Sequence, residues 1–202
     1  MVNAAELENL AQGLVQRSSK AQAIMLVPVS AQARSAMVVR RLAAKAAKFT
    51  GRPSWIIDLD FERNPQSQSV RLNGQAYSGE PLGETFWQVS PPGSGRLAMR
   101  KAQAAPVFIS RFEREPGAVR ALQYRSSPRY WDLTRQSCGL VLVDAPLQAR
   151  AMLAVAGDLD GVILVADSVS SSRSQADALA ERIEDAGGHV LGVVLTEPRQ
   201  AP

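Results

Sequence analysis

The chain has 202 residues, 46% apolar and 21% charged; this excludes a disordered protein and leaves length for a buried core without a metal or disulfide staple. A single cysteine, Cys138, excludes an intrachain disulfide and a cysteine-built zinc site, and a single histidine, His189, argues against a histidine-cluster metal centre. The net charge is +4, unevenly placed: residues 1–95 hold 10 bases and 7 acids, residues 96–135 hold 9 and 3, and residues 136–202 hold 4 and 9. A basic middle suits an anionic partner, a membrane surface or nucleic acid, or is an ordinary solvated face. No run approaches the roughly 18 apolar residues of a membrane span. The first 17 residues carry acids and lack the apolar stretch of a secretory signal, so a cytoplasmic protein is expected.

Residues 4–17 place Leu7, Leu10, Leu14 and Val15 on a helical stripe. Residues 23–29 are an apolar run suited to a buried parallel strand. Residues 34–48 read as a helix with Met37, Val38, Leu42 and Ala43 inward, and with Arg40, Arg41, Lys45 and Lys48 along it as a basic face for a partner. Residues 55–60 form a second strand ending in Asp58 and Asp60; two apart on a strand, they would point to one side. From 64 to 106 the pattern fades among glycines and prolines, and an irregular insertion is expected. Residues 107–112 read as a strand, and 117–136 as a helix interrupted near Ser127-Pro128. Residues 139–144 are a buried strand ending in Asp144, 147–156 a helix, 161–166 a strand, 173–186 an amphipathic helix closed by Gly187-Gly188, and 189–195 the last strand.

Alternation of strands and helices predicts an α/β fold, a mostly parallel sheet covered by helices on both faces, as one domain over 1–202. Ligands in such sheets bind at the carboxyl ends of strands. Four places follow: the loop after Val29, the Asp58/Asp60 pair, Asp144, and the loop after Ala166.

The order of these motifs resembles the deviant-Walker P-loop ATPases, the class of MinD and ParA. Within it the chain is most similar to the bacterial tyrosine-kinase (BY-kinase) domain of polysaccharide co-polymerases. The resemblance rests on Asp58-Leu59-Asp60 after Ile56-Ile57, on Asp144-Ala145-Pro146 after 140–143, and on the strands at 161–165 and 189–195. It covers residues 20–63 and 117–196. It implies a nucleotide fold binding ATP and magnesium, with Thr196 on the adenine side where the family usually has an Asn, and a partner in a membrane polysaccharide co-polymerase of the Wzc type. A domain peripheral to the inner membrane through that partner is then expected.

The phosphate loop departs from the family. A phosphate cradle needs glycines for its tight backbone curl, a lysine on the phosphates and Ser/Thr on magnesium. This chain offers 28–36 as Pro-Val-Ser-Ala-Gln-Ala-Arg-Ser-Ala, with neither glycine nor lysine. Counting from Leu42-Ala43, Ser35 stands at the lysine position, Ala36 at the Ser/Thr position and Arg34 at the last glycine; a one-residue slip would place Arg34 and Ser35 instead. Ser30, Arg34, Ser35 and Ala36 thus form a degenerate loop. The helix N-terminus and Arg34 retain weak anion attraction.

No resident cofactor and no metal are expected, and Asp58, Asp60 and Asp144 are read as vestigial, capping helices or pairing with Arg34 or Arg63. The family's tyrosine-rich tail is absent from 197–202, and Tyr77, Tyr124 and Tyr130 are expected inside. Cys138 is read as core filler, His189 as a polar edge residue, the three tryptophans as core anchors, and 168–173 as an N-cap cluster. The expected function is a catalytically degenerate scaffold or regulator in exopolysaccharide, capsule or holdfast production. An ATP-using enzyme with an unusual Arg34 loop is the first alternative. A ParA-like DNA or membrane-surface binder is the second, with nucleic acid disfavoured because basic and aromatic residues do not interleave.

Overall fold

The computed structural model describes residues 4–147 and 150–196. The tail 197–202, and Gln148 and Ala149 within the expected helix 147–156, lie outside the described residues. In chain order the elements are α1 (Ala4–Gln16), β1 (Ala23–Pro28), α2 (Ser35–Thr50), β2 (Ser54–Asp58), α3 (Pro65–Gln68), β3 (Leu72–Ser78), β4 (Trp87–Ser90) and β5 (Gly95–Ala102). Then follow β6 (Val107–Arg114), β7 (Ala121–Tyr124), α4 (Pro128–Ser137), β8 (Leu140–Asp144), α5 (Arg150–Val155), β9 (Gly161–Asp167), α6 (Arg173–Asp185) and β10 (Val190–Thr196).

The main sheet has the order β10-β9-β1-β8-β2-β6-β5-β3. From β10 to β6 every pairing is parallel, and β5 and β3 then add on antiparallel. This is the α/β architecture that the alternation predicts. Strands β1, β8 and β9 are buried at every residue, because helices cover both faces. On one face Ile24, Leu26, Ile56, Leu140 and Leu142 pack against α1 and α2 through Leu7, Leu14, Val38, Val39 and Leu42. On the other, Met25, Val141, Val143 and Leu164 pack with an aromatic group of Phe61, Phe86, Trp87, Phe112, Tyr130 and Trp131. Phe61 stacks on Phe112 with centroids 4.5 Å apart.

Helix α2 stops at Gly51, whose φ of 63° is a left-handed turn that glycine adopts at little cost. Helix α6 ends where the Gly188 amide donates to the Ile183 carbonyl at 2.9 Å.

Two expectations are corrected. Residues 64–106 are not an irregular insertion: they hold α3, β3, β4 and β5, and two of these strands extend the sheet. Residues 117–136 are not one interrupted helix: Ala121–Tyr124 pairs with Trp87–Ser90 as β7, and the helix begins only at Pro128. In both places cross-strand pairing, not hydrophobic period, decides the structure. Among the described residues no helix is long and apolar enough to cross a membrane.

Candidate functional site

The register of the sheet sets Asp58 directly beside Asp144 at the carboxyl ends of β2 and β8. Both lie on the α2 side. Strand β2 ends at Asp58, so Asp60 belongs to the following turn, and the expected same-strand pair is corrected. Asp60 pairs instead with Arg63, whose Nε donates to Oδ2 at 2.7 Å. Asp58 accepts the amides of Asp60 and Gln66, each at 2.9 Å.

The residue that ties this end together is Gln66, which sequence reasoning missed. It is fully buried in α3. Its Nε2 donates to Asp144 Oδ2 at 2.7 Å and to the Ala36 carbonyl at 3.1 Å, while its Oε1 accepts from Arg40 at 3.0 Å. A neutral amide therefore sits between the β8 carboxylate and the first turn of α2. The other oxygen of Asp144 is buried and accepts no well-formed hydrogen bond among the described residues, although the Ser35 hydroxyl lies close enough to act on the carboxylate. Burial pushes Asp58 up to about 7, opposed by its two amide donors. Burial also pushes Asp144 up to about 6, opposed by Gln66, Ser35 and the Arg40 charge.

Residues 29–34 connect β1 to α2. The Ala33 amide, which in a phosphate cradle would be free, donates to both the carbonyl and the hydroxyl of Ser30 at 3.2 Å. Arg34 takes the N-cap position with φ −90° and ψ 48°, without a side-chain cap. Ser35 opens the helix and is buried; Ala36 follows it, half-buried. Of the two expected partners of the carboxylates, Arg63 pairs with Asp60, while Arg34 forms no ion pair with them among the described residues.

A second missed residue, Asp167, ends β9. Its Oδ2 accepts from Ser30 Oγ at 2.5 Å, from Ser171 Oγ at 3.0 Å and from the Ser170 hydroxyl. Its Oδ1 accepts the amides of Val169 and Ser170 at 3.0 and 2.6 Å. These donors hold its carboxyl well below the usual carboxylate range. The serines after β9 therefore divide their work: Ser172 caps α6 in a capping box with Gln175, and Ser170 and Ser171 serve Asp167. A sequence signal existed, since β2, β8 and β9 each end an apolar run in Asp. Thr196 is buried, and its hydroxyl donates to the Ala166 carbonyl at 3.0 Å.

The basic residues of α2 do not form one solvated face. Arg40 is turned inward to Gln66, Lys45 pairs with Glu8 at 2.8 Å, and Arg41 and Lys48 are exposed. Tyr77 is 48% exposed, correcting its expected interior position, whereas Tyr130 is fully buried and donates to the Gly79 carbonyl at 3.1 Å. Cys138 is buried, and desolvation pushes its thiol up to about 12, which keeps it unreactive. His189 lies exposed before β10.

The ATP and magnesium that the resemblance implies do not fit these residues. In the register that sets Ser35 at the lysine position, Ala36 has a methyl group where a magnesium ligand is needed; in either register the loop has neither glycine nor lysine, the Gln66 amide occupies one oxygen of Asp144, and Ser30 has taken the Ala33 amide. Among the described residues no group of three or more histidines, cysteines or acids could hold a metal ion.

No protein-family profile matches the chain, and no curated protein matches it. Solved structures do. The chain is similar to the chimerical protein CapA2B2, with a TM-score of 0.65 at 15% identity, covering 98% of this chain and 85% of that one. It is similar to the kinase domain of the Escherichia coli tyrosine kinase ETK, with a TM-score of 0.64 at 14% identity, covering 98% and 78%. It is also similar to the BceF tyrosine kinase domain, with a TM-score of 0.65 at 15% identity, covering 96% and 77%. The chain thus has the BY-kinase domain fold.

Proposed function

We propose that this chain is a catalytically silent BY-kinase-like domain that works by binding a partner, not by phosphoryl transfer. Its setting is the production of an exopolysaccharide, capsule or holdfast, and its partner is a membrane polysaccharide co-polymerase. The observation that carries the first part is the Gln66 carboxamide on Asp144 and on the first turn of α2. Phosphoryl transfer depends on positioned phosphates and on cations at the developing charge. Here a neutral amide stands among the carboxylates, and the loop supplies no lysine. The setting and the partner rest on the shared fold with tyrosine kinase domains.

Calorimetric titration of ATP and of ADP, each with magnesium, tests the silent reading. The expected result is no binding up to about millimolar nucleotide. Micromolar binding overturns it. That outcome supports the second reading, an ATP-using enzyme working through Arg34, which the Asp144 oxygen without a well-formed hydrogen bond favours. Co-purification with membranes that carry a co-polymerase of the Wzc type tests the partner; equal recovery from membranes lacking it removes that assignment.

A further inference from the structure

The α2 face of the sheet is covered unevenly. Helices α1 and α2 pack over its centre, while β6, β5 and β3 continue beyond them. Between α2 and this extension lies a cavity of about 430 Å³, within the range of small-ligand sites. Its floor is Ile56, Val107 and Ile109, with Ala44 of α2 as one wall and Ala102 as another. The rim is tied by the Gln103 amide donating to the Arg71 carbonyl at 3.0 Å. The charged residues that line it are both arginines, Arg40 and Arg71, which line it chiefly with their aliphatic stems, and no acid lines it.

The two guanidiniums differ. Arg71 is exposed at the mouth and forms no ion pair among the described residues. Arg40 is half-buried, with one donor on Gln66; it forms no salt bridge among the described residues, although the Asp144 charge acts on it. A half-buried cation beside an apolar chamber gains most from an anion that arrives with its own apolar body. A neutral apolar ligand would leave the exposed Arg71 without a counter-charge, and a polar anion would leave the aliphatic walls wet.

We propose that this cavity binds an amphipathic monoanion, an aliphatic chain ending in a carboxylate or phosphate group, with the chain against Ile56, Ala44, Val107 and Ile109 and the head at Arg40 and Arg71. Such a ligand has two sources, a free fatty acid and a bilayer phospholipid. The cavity shares no lining residue with the loop 28–36. It is nevertheless connected to the carboxylate end of the sheet, because a head group that recruits Arg40 competes with Gln66 Oε1.

The probe is cis-parinaric acid, followed by its fluorescence on titration into the full chain. Saturable binding of one equivalent is expected. Ala44→Phe fills the chamber and Arg71→Glu reverses the rim charge; each should weaken binding about tenfold or more, as should using the uncharged methyl ester of the probe. Displacement by dodecanoate identifies a free fatty acid; displacement by phosphatidylglycerol vesicles, but not by dodecanoate, identifies a bilayer lipid. The Gln66 carboxamide NMR signal should move on binding. Absence of saturable binding, equal binding by Ala44→Phe and Arg71→Glu, equal binding of the ester, or an unmoved Gln66 signal each overturns the proposal. The exposed Arg71 keeps the test intact if Ala44→Phe fails to fold.

Discussion

Gln66 and Asp144, 78 residues apart in sequence, meet at 2.7 Å beneath the first turn of α2. The same amide reaches Ala36 and is held from behind by Arg40, so one side chain joins α2, α3 and β8. Removing it strands a buried carboxyl and a half-buried guanidinium together. Gln66→Ala should lower stability by about 2–4 kcal/mol, read by urea unfolding at pH 7. Gln66→Glu adds a third carboxylate, so its loss should be greater at pH 8 than at pH 5.

The raised Asp144 has a direct consequence for pH dependence. Its folded value of about 6 exceeds the ordinary 3.8, so the fold holds this proton more tightly than the unfolded chain does. The stability present below the ordinary value is lost as pH rises towards 6. Asp144→Asn removes the charge and keeps an acceptor for Gln66. It should stabilise the chain by about 1–3 kcal/mol at pH 8 and hardly at all at pH 4. Thermal melts at the two pH values decide; a variant less stable at pH 8 contradicts the account.

Asp167 behaves in the opposite sense. Its carboxyl is held below the usual range, so its contribution is present at neutral pH and is lost as pH falls through the depressed value. Ser30→Ala removes one of its donors and should cost about 1–2 kcal/mol at pH 7. The gap between wild type and variant should narrow under strongly acidic conditions, as unfolding curves taken across the acid range would show.

Arg40 and Lys48 lie two turns apart on α2 and are separated by their surroundings. Arg40→Ala breaks the support of Gln66 and should cost about 1–3 kcal/mol, whereas Lys48→Ala, on the exposed side, should stay within about 0.5 kcal/mol. Chemical denaturation of both variants tests this, and equal losses would return Arg40 to the solvated face.

The parallel centre was legible because its strands are continuous apolar runs, such as residues 23–28 and 140–143, and because α2 and α6 carry clear stripes. The extension was not, because β3 is exposed along most of its length and is held by pairing with β5. A strand fixed by its neighbour leaves no alternation to read. At the site, Asp58 and Asp144 were legible as acids ending apolar strands. Gln66 was not, since a glutamine after Asn64-Pro65 has no periodic signature, and its importance arises only when α3 folds under α2. Arg40 looked solvated because charge was counted along the helix without the partner that turns it inward.

The cluster on Asp167 spans a loop after β1 and a loop after β9, 137 residues apart in sequence. A domain that cycles between nucleotide states needs such loops in two positions, so that gain and loss of a phosphate can be told apart. Here the two loops are stitched to one another by the chain's own serines. On the proposed function, a partner docking beside them would meet the same surface at every encounter. Under the silent reading, the signal such a protein delivers is set by how many copies are present and where they are held, and it carries no clock.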